Sequence, residues 1–415
     1  MRPGTWTTAS VARMAFDVSH LRSRFPALAR TVDGRPAVYM DGPAGTQVPQ
    51  SVIDAVSGAM VTASSNVGGS FDASLDSAAV VERARRAAAD LVGGSQNEIV
   101  FGPNMTTLAF AFSRALARQW GPGDRIVVSR LDHDANVTPW VRAAAERGAE
   151  VVFADIDTTD VTLDLGHLAS VVDERTRLVA VTGASNAFGS LVDISRVSEI
   201  AHASGAICFV DAVHLAPHRR IDVEAMGCDL VVCSAYKFYG PHVGILWGRY
   251  DLLNSVDAFK VRPAPSAPPG RFETGTPSFA LLAGVEAAVD HLASVGEGSD
   301  RRARLDDAYG AVVEHERQLG RRFLDGLPPT VRLWGRPDMT GRVATFAVEV
   351  AGRTASEVAA VLGERGIFVW DGHYYAVEPM SRLGLLDSGG LVRIGFVQTT
   401  TEHEVDRLLE ELAAL

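Results

Sequence analysis

The hydrophobic pattern of this chain predicts an α/β architecture: a mainly parallel sheet covered by helices on both faces, followed by a smaller α+β domain. Three observations predict it. Seven short apolar runs recur at residues 98–101, 125–129, 150–154, 177–182, 206–210, 229–233 and 244–247, mostly separated by helical stretches. The runs are continuous rather than alternating, as strands buried on both faces are. With 415 residues and 47% hydrophobic content, the chain can bury one large core and a smaller one.

Taken in order, residues 17–29 read as a short helix stopped by Pro26, then a turn at 33–36 and an extended segment at 39–41. Gly-Pro-Ala-Gly-Thr-Gln at 42–47 is a small-residue loop that lets another group approach its backbone. Residues 66–71 form a second loop, and 77–92 an alanine- and arginine-rich amphipathic helix. At 102–110 a turn opens into a helix whose first residues, Met105, Thr106 and Thr107, offer amides and hydroxyls to an anion. The proline-rich stretch 261–270 suits neither a central strand nor a helix interior and marks a domain crossing. Helical regions at 278–296 and 301–325 follow, and then alternating strands and helices. We therefore divide the chain into an N-terminal arm and helix packing on the smaller domain (1–35), a larger domain (36–270), and a connecting helix with the smaller domain (271–415). Residues 1–13 read as a loose arm, Met14 being an equally good start.

A formal charge of −11, with no basic run or basic amphipathic face, argues against nucleic-acid and anionic-membrane partners and for a small molecule. Cys208, Cys228 and Cys233 lie in apolar strand-like runs without metal-ligand spacing, so they read as reduced core residues of a cytoplasmic protein. No stretch is long and apolar enough to cross a bilayer, and no export segment is evident.

The chemistry centres on residues 228–249. Lys237 is one of only two lysines, with Lys260, in a chain that otherwise uses arginine. Beside the apolar Leu230, Val231 and Val232, its charged form is disfavoured, so it can act as a base or form a Schiff base, which arginine cannot. An isolated lysine at a strand end reads instead as snorkelling. Asp211 closes the run 206–211, which puts both side chains at the carboxyl edge of one sheet. A pyridine cofactor needs this pair: a carboxylate to keep the ring nitrogen protonated and an amine to carry the aldehyde carbon.

Asp-Ala-Val-His at 211–214, Ser-Ala-Tyr-Lys at 234–237 and Tyr-Gly-Pro at 239–241 resemble the fold-type I, class V aminotransferase family, in particular its cysteine desulfurase-like and selenocysteine lyase-like branch. The match runs from about Tyr39 to the C-terminus. The resemblance implies pyridoxal 5′-phosphate and a homodimer with shared active sites. It places the phosphate at Met105, Thr106 and Thr107 with the Ser234 hydroxyl, Tyr236 beside the lysine, and Thr276 reaching the partner's phosphate. It gives His133 a stacking role on the cofactor ring with Asn136 nearby, sets Asn186 near the ring oxygen and substrate, and makes His214 the partner of the ring 3′-oxygen. The loop holding Ala44 lies against the substrate, and 66–71 lies near the dimer-related site. Arg393 takes the substrate α-carboxylate, for which a planar fork on a strand is suited.

Within this branch the reaction is decided by a mobile loop. The stretch Trp-Asp-Gly-His-Tyr-Tyr-Ala at 370–376 stands where desulfurases carry Arg-Thr-Gly-His-His-Cys-Ala, so Tyr375 replaces the cysteine nucleophile and Trp370 the arginine. A phenol cannot carry a persulfide. Tyr375 or His373 can protonate a leaving group, and the same aromatic residues can simply pack a domain interface. The favoured reading is an amino-acid C–S or other β-substituent lyase in which Lys237 removes the Cα proton. An aminotransferase and an epimerase share that first step.

Overall fold

The computed structural model describes residues 16–415. All seven apolar runs form strands of one sheet: β1 (Ile99–Gly102), β2 (Arg125–Ser129), β3 (Glu150–Ala154), β4 (Thr176–Thr182), β5 (Ile207–Asp211), β6 (Leu230–Ser234) and β7 (Gly244–Gly248). Their spatial order is β1-β7-β6-β5-β4-β2-β3. Strands β2 to β6 pair in parallel, and β7 runs antiparallel to both β6 and β1.

Successive side chains face opposite sides of the sheet, and both sides are buried. On β5, Cys208 and Val210 enter one apolar cluster while Phe209 enters the other. The first face is covered by α1 (Gln50–Thr62), α2 (Asp72–Val92) and α4 (Phe279–Ala293); the second by α3 (Met105–Leu116). Helix α2 starts five residues before the run expected from periodicity, because Asp72 and its neighbours extend the first turn toward solvent.

A third apolar cluster sits apart. It is built on an antiparallel sheet ordered β8-β9-β11-β10, where β8 is Val331–Trp334, β9 Thr345–Val350, β10 Trp370–Gly372 and β11 Leu391–Gly395. Phe323, on α5 (Arg301–Asp325), packs with Phe346 and Phe396 at centroid separations of 4.7, 5.5 and 5.3 Å for the three pairs. Truncating one of them to alanine costs about 3–5 kcal/mol. Val38 and Met40 belong to this cluster too, and Val38–Tyr39 pairs in parallel with Ile367–Phe368.

Two glycines bring the parts close. Gly244 starts β7 beneath the backbone of Asn104, where any Cβ would collide, so the N-terminus of α3 sits directly on the sheet. Gly189, at φ +75°, lies against β9, where a Cβ would come within 2.6 Å of the Thr345 carbonyl oxygen.

Candidate active site

The functional side chains meet at the carboxyl edge of the parallel strands, where open α/β sheets bind ligands. Beyond Ser129 the chain carries His133, beyond Thr182 it carries Asn186, and Asp211 itself ends β5. After Ser234 a tight turn, Ala235–Lys237, presents the lysine. The loop after Asp41 is fastened to this turn by Thr46, whose amide and hydroxyl both donate to the Tyr236 carbonyl, each at 3.1 Å.

A cavity of about 440 Å³ opens here, within the range of small-molecule sites. Its floor is lined by Lys237, Asp211, His214 and Tyr236. It is lined further by His133, Asn186, Met105, Thr106 and Ala44, and, from the smaller sheet and its loop, by Arg393, Trp370, His373 and Tyr375. The adjoining groove at the start of α3 is lined by Thr107, Ser234 and His242.

Electrostatics follow from burial. Desolvation, reinforced by Arg393 and opposed by Asp211 and Asp41, lowers the Lys237 amine to about 7. Its Nζ donates to the Pro43 carbonyl oxygen. Burial lifts the Asp211 carboxyl to about 6 against the pull of the Val213 amide, which donates to it at 2.8 Å, and of Lys237. His133 falls to about 4 through burial and the cations Lys237 and Arg393, so its ring is neutral at pH 7. His133 Nδ1 accepts from the Ala135 amide at 3.0 Å, which leaves the proton on Nε2.

Arg393 is 5% exposed on β11, donates to the Asn186 carbonyl at 3.1 Å and lies over the Tyr374 ring, 4.5 Å from its centroid. Burial drops the guanidinium to about 10, still fully charged at neutral pH. Tyr374 and Tyr375 both adopt left-handed backbone, φ +52° and +59°, held by Asn186 donating to the Tyr374 carbonyl (2.9 Å) and Asp134 donating to that of Tyr375 (2.7 Å).

Asn136 and Thr276 sit elsewhere, and Thr107 lines the adjoining groove instead of the main cavity. Asn136 does not line the cavity: it is fully buried, its amide nitrogen donating to Asp132 (2.7 Å) and its oxygen accepting from Trp140 (3.0 Å), so it braces the wall instead of meeting a substrate. The amide of Thr107 is taken by its N-cap, Asn104, at 2.8 Å, which leaves Thr107 with no free amide for an anion. Thr276 is exposed on a separate groove with His242 and Phe101, away from this chain's own cavity.

Sequence reasoning passed over Asp41, Thr345 and His242. Asp41 comes just after the extended Val38–Tyr39, much as Asp211 ends β5; burial lifts its carboxyl to about 6 against its own backbone amide, Arg393 and Lys237. That shared signal, an acid closing an apolar run, was available. His242 stacks on Tyr236 at 4.7 Å, and nothing in its local sequence marks it.

The residues fit the pyridoxal phosphate that the resemblance implies. A depressed lysine amine and a buried aspartate line one cavity with polar atoms that lack any protein partner: Asn186 Oδ1, His214 Nδ1 and Arg393 Nε. Orphaned buried polar groups are costly, and a polar ligand supplies what they lack. Met105, Thr106, Thr107 and Ser234 line one groove at the N-terminus of α3, where an anion is favoured, and the Met105 amide ties that N-terminus to Ser234 Oγ at 3.0 Å.

Comparison with known proteins agrees. The model of the family Aminotransferase class-V matches residues 38–408. The chain is 34% identical to an uncharacterized protein of Mycobacterium tuberculosis over 97% of this chain and 100% of that one. It is 31% identical to a cysteine desulfurase of Dickeya dadantii, covering 96% of each. Among solved structures, the apo cysteine desulfurase of Thermococcus onnurineus superposes with TM-score 0.85 at 25% identity, over 95% of this chain and 97% of that one. The Escherichia coli cysteine desulfurase CsdA gives 0.83 at 26%, over 96% and 98%. With the lysine, aspartate and arginine of its motifs gathered in one cavity, this chain belongs to the class V aminotransferase family of pyridoxal phosphate-dependent enzymes.

Proposed function

We propose that the protein is a lyase that breaks the C–S bond, or another Cβ–substituent bond, of a small amino acid without a protein cysteine as acceptor. The observation that carries this reading is where the thiols are. Tyr375 stands at the cavity mouth, 66% exposed, while Cys208, Cys228 and Cys233 are all buried. Burial pushes the Cys208 and Cys233 thiols up to about 12 and that of Cys228 well above its ordinary value, so none supplies a thiolate at neutral pH. Relatives named cysteine desulfurase support the sulfur chemistry.

Bound, the cofactor supplies a ring that takes up the electron pair left at the substrate Cα. Arg393 holds the α-carboxylate by its planar fork and fixes the substrate's orientation. The Lys237 amine, lowered to about 7 and so about half unprotonated at neutral pH, takes the Cα proton. Asp211 keeps a proton on the ring nitrogen, and Tyr375 or His373 delivers one to the departing group. Water then converts the released enamine to keto acid and ammonia. Trp370 and Tyr374 line the same cavity.

The reading includes a homodimer in the cytoplasm. Ile53, Met60, Val61, Val67, Phe71 and Leu75 are exposed on the run spanning α1 to the start of α2, an apolar surface suited to a second copy that would bring Thr276 to the partner's phosphate groove. Unpaired buried thiols fit a reducing compartment. Incubation with cysteine and other β-substituted amino acids should release keto acid and ammonia with no amino acceptor present. A cysteine-bound persulfide detected by mass spectrometry would overturn the reading. Accumulation of the pyridoxamine form would turn it to an aminotransferase, and Cα deuterium exchange without product to an epimerase.

A further inference from the structure

Behind the cavity floor lies a buried polar chain that none of the catalytic roles uses. His214 is 3% exposed, and its Nε2 is 3.0 Å from Thr345 Oγ1, on β9 of the smaller sheet. His218 meets the His214 ring edge-on, centroids 5.0 Å apart, and its Nδ1–H donates between both oxygens of Glu316 on α5, at 2.9 and 3.0 Å. Thr345, His218 and Glu316 are 0%, 0% and 1% exposed. Arg219 approaches Glu316 to 3.9 Å. The one atom of His214 without a partner is Nδ1, on a residue that lines the cavity.

His214 is held neutral by burial, with His218, Arg393 and Lys237 adding to the effect. A neutral imidazole carries one N–H and one lone pair, and its neighbours choose which nitrogen has which. Thr345 Oγ1 makes one hydrogen bond, the one to His214. If His214 Nε2–H donated there, the hydroxyl hydrogen would be buried with no acceptor, and Nδ1 would turn a lone pair toward the cavity. With the hydroxyl as donor, the one hydrogen left without a protein partner is Nδ1–H, on a residue that lines the cavity, where a ligand oxygen can accept it.

We infer that Thr345 is a positioning residue that fixes the His214 tautomer, so that the large domain offers a hydrogen-bond donor, and not an acceptor, to an oxygen of the bound group. The inference rests on the reading that the cofactor's ring oxygen lies against His214, and it adds the residue that selects the donor. It also links His214 to the smaller sheet, since Thr345 begins β9 and its carbonyl accepts from the buried Arg342 at 2.6 Å.

The test compares Thr345→Val, Thr345→Ser and His214→Ala in the cofactor-loaded enzyme. Three quantities are read: cofactor affinity, the position of the visible absorption band, and the pH at which that band titrates. A donor on the ring oxygen draws charge from the proton that oxygen shares with the lysine-derived nitrogen, so losing the donor raises the midpoint. Thr345→Val, of nearly unchanged volume, should bind the cofactor about three- to tenfold more weakly and raise the midpoint by roughly 0.5 to 1 pH unit. Thr345→Ser, which keeps the hydroxyl, should stay within about twofold of the parent. If His214→Ala moves band and midpoint while Thr345→Val moves neither, the inference fails and the cofactor reading stands. If neither variant moves them, both fail. A serine variant that behaves like the valine variant would also overturn the inference, because packing and not the hydroxyl would then matter.

Discussion

His133 and Tyr375 stack over the cavity, their ring centroids 5.4 Å apart and their planes 16° from parallel. The contact joins a loop of the larger sheet to the strained loop of the smaller one, and the Asp134 amide fixes it by donating to the Tyr375 carbonyl at 2.7 Å. Tyr375→Phe keeps the stack and removes only the hydroxyl. If that hydroxyl protonates the leaving group, kcat should fall by about 100-fold or more while KM changes little. Steady-state kinetics on a β-substituted amino acid decides it, and an unaltered kcat would move the role to His373.

Lys237 should bind the cofactor covalently. Lys237→Ala should lack the visible band of the lysine-bound form, and Lys237→Arg should lack it too, since a guanidinium stays charged. Because the amine is lowered to about 7, it is mostly free above that pH and protonated below it. Uptake of cofactor by the stripped protein, followed by absorbance, should therefore rise through a midpoint near 7. A midpoint near the ordinary lysine value would contradict the desolvated environment.

Arg393→Lys keeps a cation but loses the planar fork. The loss should lower kcat/KM by about 10- to 100-fold, and the preference for amino acids over the matching amines should shrink with it. Comparing the two substrate types with both enzymes separates a carboxylate contact from a structural role.

The apolar surface on α1 gives a prediction about assembly. Met60→Asp with Val61→Asp places two charges on side chains that are 69% and 82% exposed, so the isolated fold should be spared. Light scattering should show the parent as a dimer and the variant as a monomer with weakened cofactor binding. A monomeric parent would remove the shared site altogether.

Gly189→Ala should destabilise the protein by about 1–3 kcal/mol, from a left-handed backbone and a Cβ forced against the Thr345 carbonyl. Urea unfolding of the cofactor-free protein measures it. A neutral result would mean that the Asn186–Gly189 loop can yield without disturbing β9.

Much of this was legible in the residues. The seven strands were, because continuous apolar runs bounded by polar turns admit few other arrangements. The direction of β7 was not: Gly244–Gly248 is fully buried whichever way it runs, and its antiparallel pairing depends on the short connection from the lysine turn. Lys237, Asp211 and Arg393 could be picked out because each closes or sits on an apolar strand in a recognisable motif. Asn136 was misplaced because its spacing from His133 says nothing about which way its amide turns. Thr345 and Glu316 were invisible for a different reason. Their partners lie 131 and 98 residues away in the chain, and no local pattern reports such contacts.

The pairing of Val38–Tyr39 with Ile367–Phe368 bears on how the molecule is made. The large sheet holds all its strands once Gly248 has emerged from the ribosome, whereas the smaller lobe needs Val38 and Met40 from the beginning of the chain together with Phe396 and Leu408 near its end. An early segment must therefore wait, its apolar side chains uncovered, until residues 391–408 have been made. Chains truncated before Leu391 should protect the sheet core from protease yet be cut readily around residue 38, and protection there in such fragments would show that the lobe closes some other way.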